Sequence, residues 1–181
     1  MHAVAMIEVL SIPLGILAGD SMLKAAQVDI ITAQTVCAGK YIVIVSGEVA
    51  AAKSALNAGV EMCGNALVDS MLIPNIDRSV LTAISGSGAQ KAAESVGIME
   101  TFSLTAAIQA ADAAVKAADI EIIEIRLGRG MGGKSFVVIT GDVAAVQAAD
   151  KAAKSLEAIS GMVITSVVIP SIHEDMIRAL L

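Results

Sequence analysis

Much of this chain is written twice, and that duplication limits its fold more than any other feature. Lys24-Ala-Ala-Gln-Val-Asp-Ile30 returns as Lys116-Ala-Ala-Asp-Ile-Glu-Ile122, and Tyr41-Ile-Val-Ile-Val-Ser-Gly-Glu-Val-Ala-Ala51 returns as Ser135-Phe-Val-Val-Ile-Thr-Gly-Asp-Val-Ala-Ala145. Leu72-Ile-Pro-Asn-Ile76 returns as Val168-Ile-Pro-Ser-Ile172, so the offset drifts only from 92 to 96 residues across a copy. A period of that size is a duplicated domain, not a short solenoid unit. The copies diverge most at one place: the first reads Val36-Cys-Ala-Gly-Lys40 where the second reads Gly130-Met-Gly-Gly-Lys134.

Within the first copy, an apolar strand over 4–10 is broken by Ser11-Ile-Pro-Leu-Gly15, and an Ala/Leu/Met-rich helix runs on to about Ala26. The β-branched stretch 28–36 reads as a second strand and 41–45 as a third. A helix over about 49–58 follows Glu48, an acid placed where the helix dipole favours it, and a strand over 66–73 stops at Pro74. The second copy repeats the order: strand 96–102, helix 104–118, strands 120–127 and 136–140, helix 143–155, strand 162–169, and a short tail helix from His173. Ser85-Gly-Ser-Gly-Ala89 reads as a flexible linker. The expected organisation is a first domain over 1–84, a linker over 85–94 and a second domain over 95–181. Each domain is β-α-β-β-α-β, the α+β, ferredoxin-like form of an α/β fold, with one four-stranded antiparallel sheet and flanking helices.

Of the 181 residues, 56% are apolar and 17% charged, and the mean hydropathy is +0.77. A membrane span does not account for this. The longest uncharged run, 158–172, has 15 residues and contains Gly161 and Pro170, shorter than the roughly 18 residues a spanning helix needs. No basic, then apolar, leader opens the chain. Surplus apolar surface points to other subunits, hence an obligate homo-oligomer. A net charge of −6 argues against nucleic acid, whose phosphates select basic faces. One Tyr, two Phe and no Trp leave no platform for stacked bases. Two cysteines without a secretion signal fit a reducing cytoplasm better than a disulfide framework.

Several of these segments together carry a family resemblance. Val96-Gly-Ile-Met-Glu100, Ala113-Ala-Val-Lys-Ala117, the glycine loop ahead of Phe136-Val-Val-Ile-Thr-Gly-Asp-Val143, and Val168-Ile-Pro with His173 resemble the bacterial microcompartment (BMC) shell domain. The first copy matches with Met6-Ile-Glu8, Met22-Leu-Lys24, Val45-Ser-Gly-Glu-Val49 and Ile73-Pro74. Two fused copies imply the trimeric class of shell protein, in which three chains form a pseudohexameric tile set among hexameric tiles in the shell of a cytoplasmic compartment. Thr35-Val-Cys-Ala-Gly-Lys40 is similar to the cluster-binding trimers of propanediol-utilisation compartments. In those, one Cys per chain meets its copies at the central pore and holds a [4Fe-4S] cluster for electron transfer across the shell, or for delivery to luminal redox enzymes. There the Cys is typically followed by Pro; here Ala38 follows it.

The resemblance implies that Cys37 is the cluster ligand, and Fe–S clusters do require thiolate. Three thiolates leave one iron of a tetranuclear cluster without a protein ligand. The pore loops are Cys37, Ala38 and Gly39 in one copy and Gly130, Met131 and Gly132 in the other. The run 128–133 lacks phosphate-loop spacing and leads into a strand, not a helix. Lys24, Lys116 and His173 are implied to lie at the tile edge. The family's Ile-Pro-Arg-Pro-His signature has Asn75 and Ser171 at its Arg position, with Arg78 or Arg178 as candidate substitutes. Cys63 reads as a small buried hydrophobe. Glu8 and Glu100 are matched acids with no nucleophile nearby, read as buried or paired and not catalytic. A structural protein, not an enzyme, is expected. Two alternatives stay open: a cofactor-free pore gating metabolites, and a trimeric ferredoxin-like regulatory protein that binds a small molecule.

Overall fold

The computed structural model describes residues 3–86 and 95–180. It divides into two compact units, Met1–Ile76 and Asp77–Leu181. In the first, β1 (Ala3–Val9), α1 (Ile12–Ala25), β2 (Asp29–Val36), β3 (Lys40–Gly47), α2 (Val49–Cys63) and β4 (Leu67–Ile73) follow one another. The second opens with α3 (Arg78–Ile84) and continues as β5 (Ser95–Thr101), α4 (Leu104–Ala117), β6 (Glu121–Leu127), β7 (Ser135–Gly141), α5 (Val143–Lys154), β8 (Val163–Ile169) and α6 (Glu174–Leu180). Each sheet is antiparallel, in the order β2-β3-β1-β4 and β6-β7-β5-β8. This is the split βαβ topology expected of both copies.

The core of the first unit follows from alternation on its central strand. Ala3, Ala5, Ile7 and Val9 face one way, onto Ala18 and Met22 of α1 and Ala52 and Ala55 of α2. Met22 and Gly59 form a close fit, because a Cβ at Gly59 would stand 2.7 Å from Met22 Cγ. The second copy has Ala114 and Ala153 at the matched positions, where both line a small apolar cavity with Gly97 and Met99. The same contact is thus filled by one long side chain in one copy and by two short ones in the other. Both helices that follow a first strand are capped alike: Ser11 accepts from Leu14 N–H at 3.5 Å and Ser103 from Ala106 N–H at 3.2 Å.

Two expectations need correction. The segment 77–84, assigned by sequence to the first domain, contains a helix that the sequence reading did not place, and it belongs to the second compact unit. Ser85 and Gly86 of the expected linker form a turn closing that helix, while residues 87–94 lie outside the described residues. Also, α2 runs on to Cys63, five residues beyond its expected end.

The cap of α3 gives a testable pH effect. Asp77 accepts from Ser79 N–H at 2.8 Å and from Ser79 Oγ at 2.7 Å. These hydrogen bonds, with a smaller contribution from Lys116, hold its carboxyl below the ordinary value of 3.8. A lowered folded value means the cap stabilises at pH above that of the unfolded carboxyl and is lost as pH falls through the folded one. Asp77→Ala is expected to cost about 1 kcal/mol at neutral pH. Asp77→Asn is expected to keep most of the cap while removing its acid sensitivity below about pH 4. Chemical denaturation of the three proteins at pH 7 and pH 3 checks both.

Candidate functional site

The turn joining β2 to β3 is three residues long. Val36 pairs with Lys40 across its base, and Cys37–Gly39 form the tight turn between them. Ala38 has φ 63° and Gly39 φ 71°, both in the left-handed region that lets the chain reverse so tightly. Cys37 is half-buried and in no disulfide. The proline that the resemblance to cluster-binding trimers implies after this Cys cannot occupy the turn as built, because its ring fixes φ near −65°. Ala38→Pro is therefore expected to break the turn at a cost of about 2 kcal/mol, whereas Ala38→Gly is expected to be tolerated; thermal melting of the two variants decides it.

The matching turn between β6 and β7 is built from glycine. Gly128, Gly130, Gly132 and Gly133 all have positive φ, and Lys134 N–H donates to the Met131 carbonyl at 3.1 Å. No cysteine stands in this turn. Gly130, Met131 and Gly132 therefore share one hairpin end, as Cys37, Ala38 and Gly39 share another.

Both turns rest on a Lys–Glu ion pair. Glu8 and Glu100 are expected to be buried or paired, and the structure supplies the partner of each. Lys40 pairs with Glu8, and Lys134 Nζ lies 2.6 Å from Glu100 Oε1. The signal was present in the repeat: a Glu on each first strand and a Lys closing each loop, kept at nearly the same offset. Beside the second loop Arg126 also pairs with Glu124 and lies over the Phe136 ring, 5.1 Å from its centroid.

The expected edge residues sit on helix ends. Lys24 and Lys116 each pair one turn back, with Asp20 and Asp112, at 2.5 Å. The second pair is the better anchored, since Asp112 also accepts Asp77 N–H at 2.8 Å. His173 is exposed, and its Nδ1 accepts Asp175 N–H at 3.2 Å at the start of α6. Arg178 pairs with Glu174 and Asp175 within that helix. Cys63 ends α2, buried, with its thiol pushed up by desolvation.

Whether these residues suit an iron–sulfur cluster turns on donor chemistry. Among the described residues, no group of three His, Cys, Asp or Glu side chains in one chain could hold a metal ion. A cluster therefore has to draw thiols from several copies. Cys37, at the end of a hairpin, is placed for that, whereas buried Cys63 is not. The donor set fits on the condition of assembly.

A tandem pair of ferredoxin-like domains with divergent hairpin ends defines a class of two-copy building block, and comparison with known proteins makes the class specific. The model of the BMC domain matches residues 3–76 and again 95–172. The bacterial microcompartment shell protein PduT of Citrobacter freundii is 40% identical over 177 residues, which are 98% of this chain and 96% of that protein. The shell protein PduA of the same organism is 40% identical over 88 residues, 48% of this chain and 91% of its own length. A crystal structure of a microcompartment protein from Desulfitobacterium hafniense DCB superposes with a TM-score of 0.94 at 46% identity, covering 98% of this chain and 99% of that one. The chain belongs to the BMC-domain family, in its two-copy form, and is a structural protein of a bacterial microcompartment shell. None of the helices among the described residues is long and apolar enough to cross a membrane.

Proposed function

We propose that three copies of this chain close into a pseudohexameric shell tile whose central pore gathers three Cys37 thiolates around one [4Fe-4S] cluster. The observation that carries the ring is an unequal burial of matched residues. Ile12, Leu14 and Ile16 of α1 and Ile30, Ala33 and Thr35 of β2 are exposed, while their counterparts Leu104, Ala106, Ile108, Ile122, Ile125 and Leu127 are buried. In the second unit, α3, the helix that follows the first copy's last strand, packs against β6 and α4. By the repeat, α6 is the helix that follows the second copy's last strand. Supplied by a neighbouring copy, it would meet the bare α1 and β2 in the same way. Such a head-to-tail contact closes a ring when its rotation is a whole fraction of a turn, here one third for three chains.

The ring brings Cys37 once per chain, so three chains supply three thiolates, the ligand type such clusters take. The bound cluster would supply one-electron chemistry at the pore, suited to electron transfer across the shell or to cluster delivery toward luminal redox enzymes. Cys37 would bind it, and the tight turn would set how far the thiol stands from its strand. Hexameric shell tiles are the expected neighbours along the edges that carry Lys24, Lys116 and His173.

Purification without oxygen, followed by sedimentation, iron and sulfide analysis and electron paramagnetic resonance, tests both parts. A trimer with four iron atoms and a cluster signal is the expected result. A colourless trimer that takes up no iron on reconstitution overturns the cluster and leaves the cofactor-free metabolite pore. The observation favouring that second reading is Ala38, which stands at φ 63° where the resemblance implies a proline. A discrete trimer that never joins sheets or shells would instead support the regulatory reading.

A further inference from the structure

Glu8 lies on the central strand with 2% of its side chain exposed, and its partner Lys40 is 16% exposed. The register explains how they meet. Glu8 stands opposite Ile42 on β3. Lys40, two residues earlier on β3, therefore projects from the same face as a diagonal neighbour. Lys40 is also the residue at which the Cys37 turn closes, paired through its backbone with Val36. The ammonium that pairs with the buried carboxylate is thus fixed to the foot of the turn that carries the thiol.

The second copy builds the same device. Glu100 stands opposite Phe136 on β7, and Lys134, two residues earlier, pairs with it at 2.6 Å. There the side chains are more open, at 43% for Lys134 and 29% for Glu100. Between the copies the loop residues have changed from Cys-Ala-Gly to Met-Gly-Gly while the pair at the foot has not. A buried ion pair gains little net stability over apolar packing, though removing one partner is strongly unfavourable. Its retention beneath both loops is better explained by geometry than by stability.

We infer that Glu8, acting through Lys40, is the positioning residue of the Cys37 turn. Its role is to fix the strand end from which Cys37 is presented, through the Lys40 pair. The consequence for a cluster rests on the function proposed above, but the positioning itself can be read without metal.

The test uses the full-length, metal-free protein and follows alkylation of Cys37 by iodoacetamide, read by mass spectrometry of the peptide. Loosening the foot raises the open fraction of the turn. Glu8→Gln and Lys40→Met are each expected to raise the rate about tenfold, with Glu100→Gln within about twofold of the parent as the control on the other hairpin. A purely electrostatic influence predicts opposite signs: loss of the carboxylate favours the thiolate and loss of the ammonium disfavours it. Opposite signs, or rates unchanged in both variants, overturn the proposal. If Glu8→Gln does not fold, Lys40→Met and the double variant Glu8→Gln/Lys40→Gln carry the test. The amide pair, which can hydrogen-bond across the same site, is expected to return the rate to near the parent's, and a double variant as fast as Lys40→Met counts against positioning. With iron and sulfide, the single variants are expected to lose the cluster faster in air. If the parent takes up no iron, the cluster reading fails while the alkylation result stands by itself.

Discussion

Cys37→Ser, prepared without oxygen, is expected to be colourless, to contain no labile sulfide and to give no cluster resonance, while it sediments as the parent does. The effect is total because a hydroxyl is a poor donor to the soft iron–sulfide core that thiolate suits. The sequence has one other cysteine, Cys63, which is buried at the end of α2, so no second thiol stands in this turn. Stability should change little, within about 0.5 kcal/mol, since the side chain stands at a half-buried hairpin end. Cys63→Ser makes the informative contrast: it should keep the cluster and lose stability, because a hydroxyl replaces a buried sulfur at the end of α2. Retention of a full cluster by Cys37→Ser would sink the ligand assignment outright.

The second large effect concerns the ring. Ile16 on α1 is 55% exposed in the single chain, whereas its counterpart Ile108 on α4 is fully buried. Ile16→Glu is expected to abolish assembly and leave a folded monomer, because the charge would enter an interface that gains roughly 1.5–3 kcal/mol from each buried aliphatic side chain. Ile108→Glu is expected to unfold the second unit by placing the same charge within a formed core. Sedimentation velocity and a circular-dichroism melt separate the two outcomes. A trimer that survives Ile16→Glu would show that α1 does not meet a neighbouring copy.

The fold was largely legible because two rhythms, alternation in strands and short Ala-rich helices, occur twice and so check one another. Glu8 and Glu100, or the paired Tyr41 and Ser135 runs, fall at the same places in both copies. The helix α3 was not legible: its seven residues follow Pro74 and precede a Ser/Gly run, so local signals describe only a turn and a linker. What makes it a helix is a cap at Asp77 and packing of Val80 and Ala83, both buried. Strand irregularities were hidden too. Each second strand slips register between matched residues, at Ile30/Thr32 and at Ile122/Glu124, which sets two isoleucines side by side in each strand and interrupts the alternation. At the site, the loops were visible as a divergence, yet the Lys–Glu pairs beneath them depend on strand pairing that no local pattern displays.

The position of α3 bears on how the two-copy chain can be cut or rearranged. The unit that repeats in sequence and the unit that holds together in space are out of phase by one helix, since the tail of the first copy is the opening of the second compact unit. A gene split at the repeat boundary would deliver a first half ending in an unsupported helix and a second half missing the cover of β6 and α4. A split between Ile76 and Asp77 keeps that helix with its packing partners. The natural seam of the fused chain is thus displaced from the seam left by its duplication, and the two copies can no longer be exchanged as independent modules.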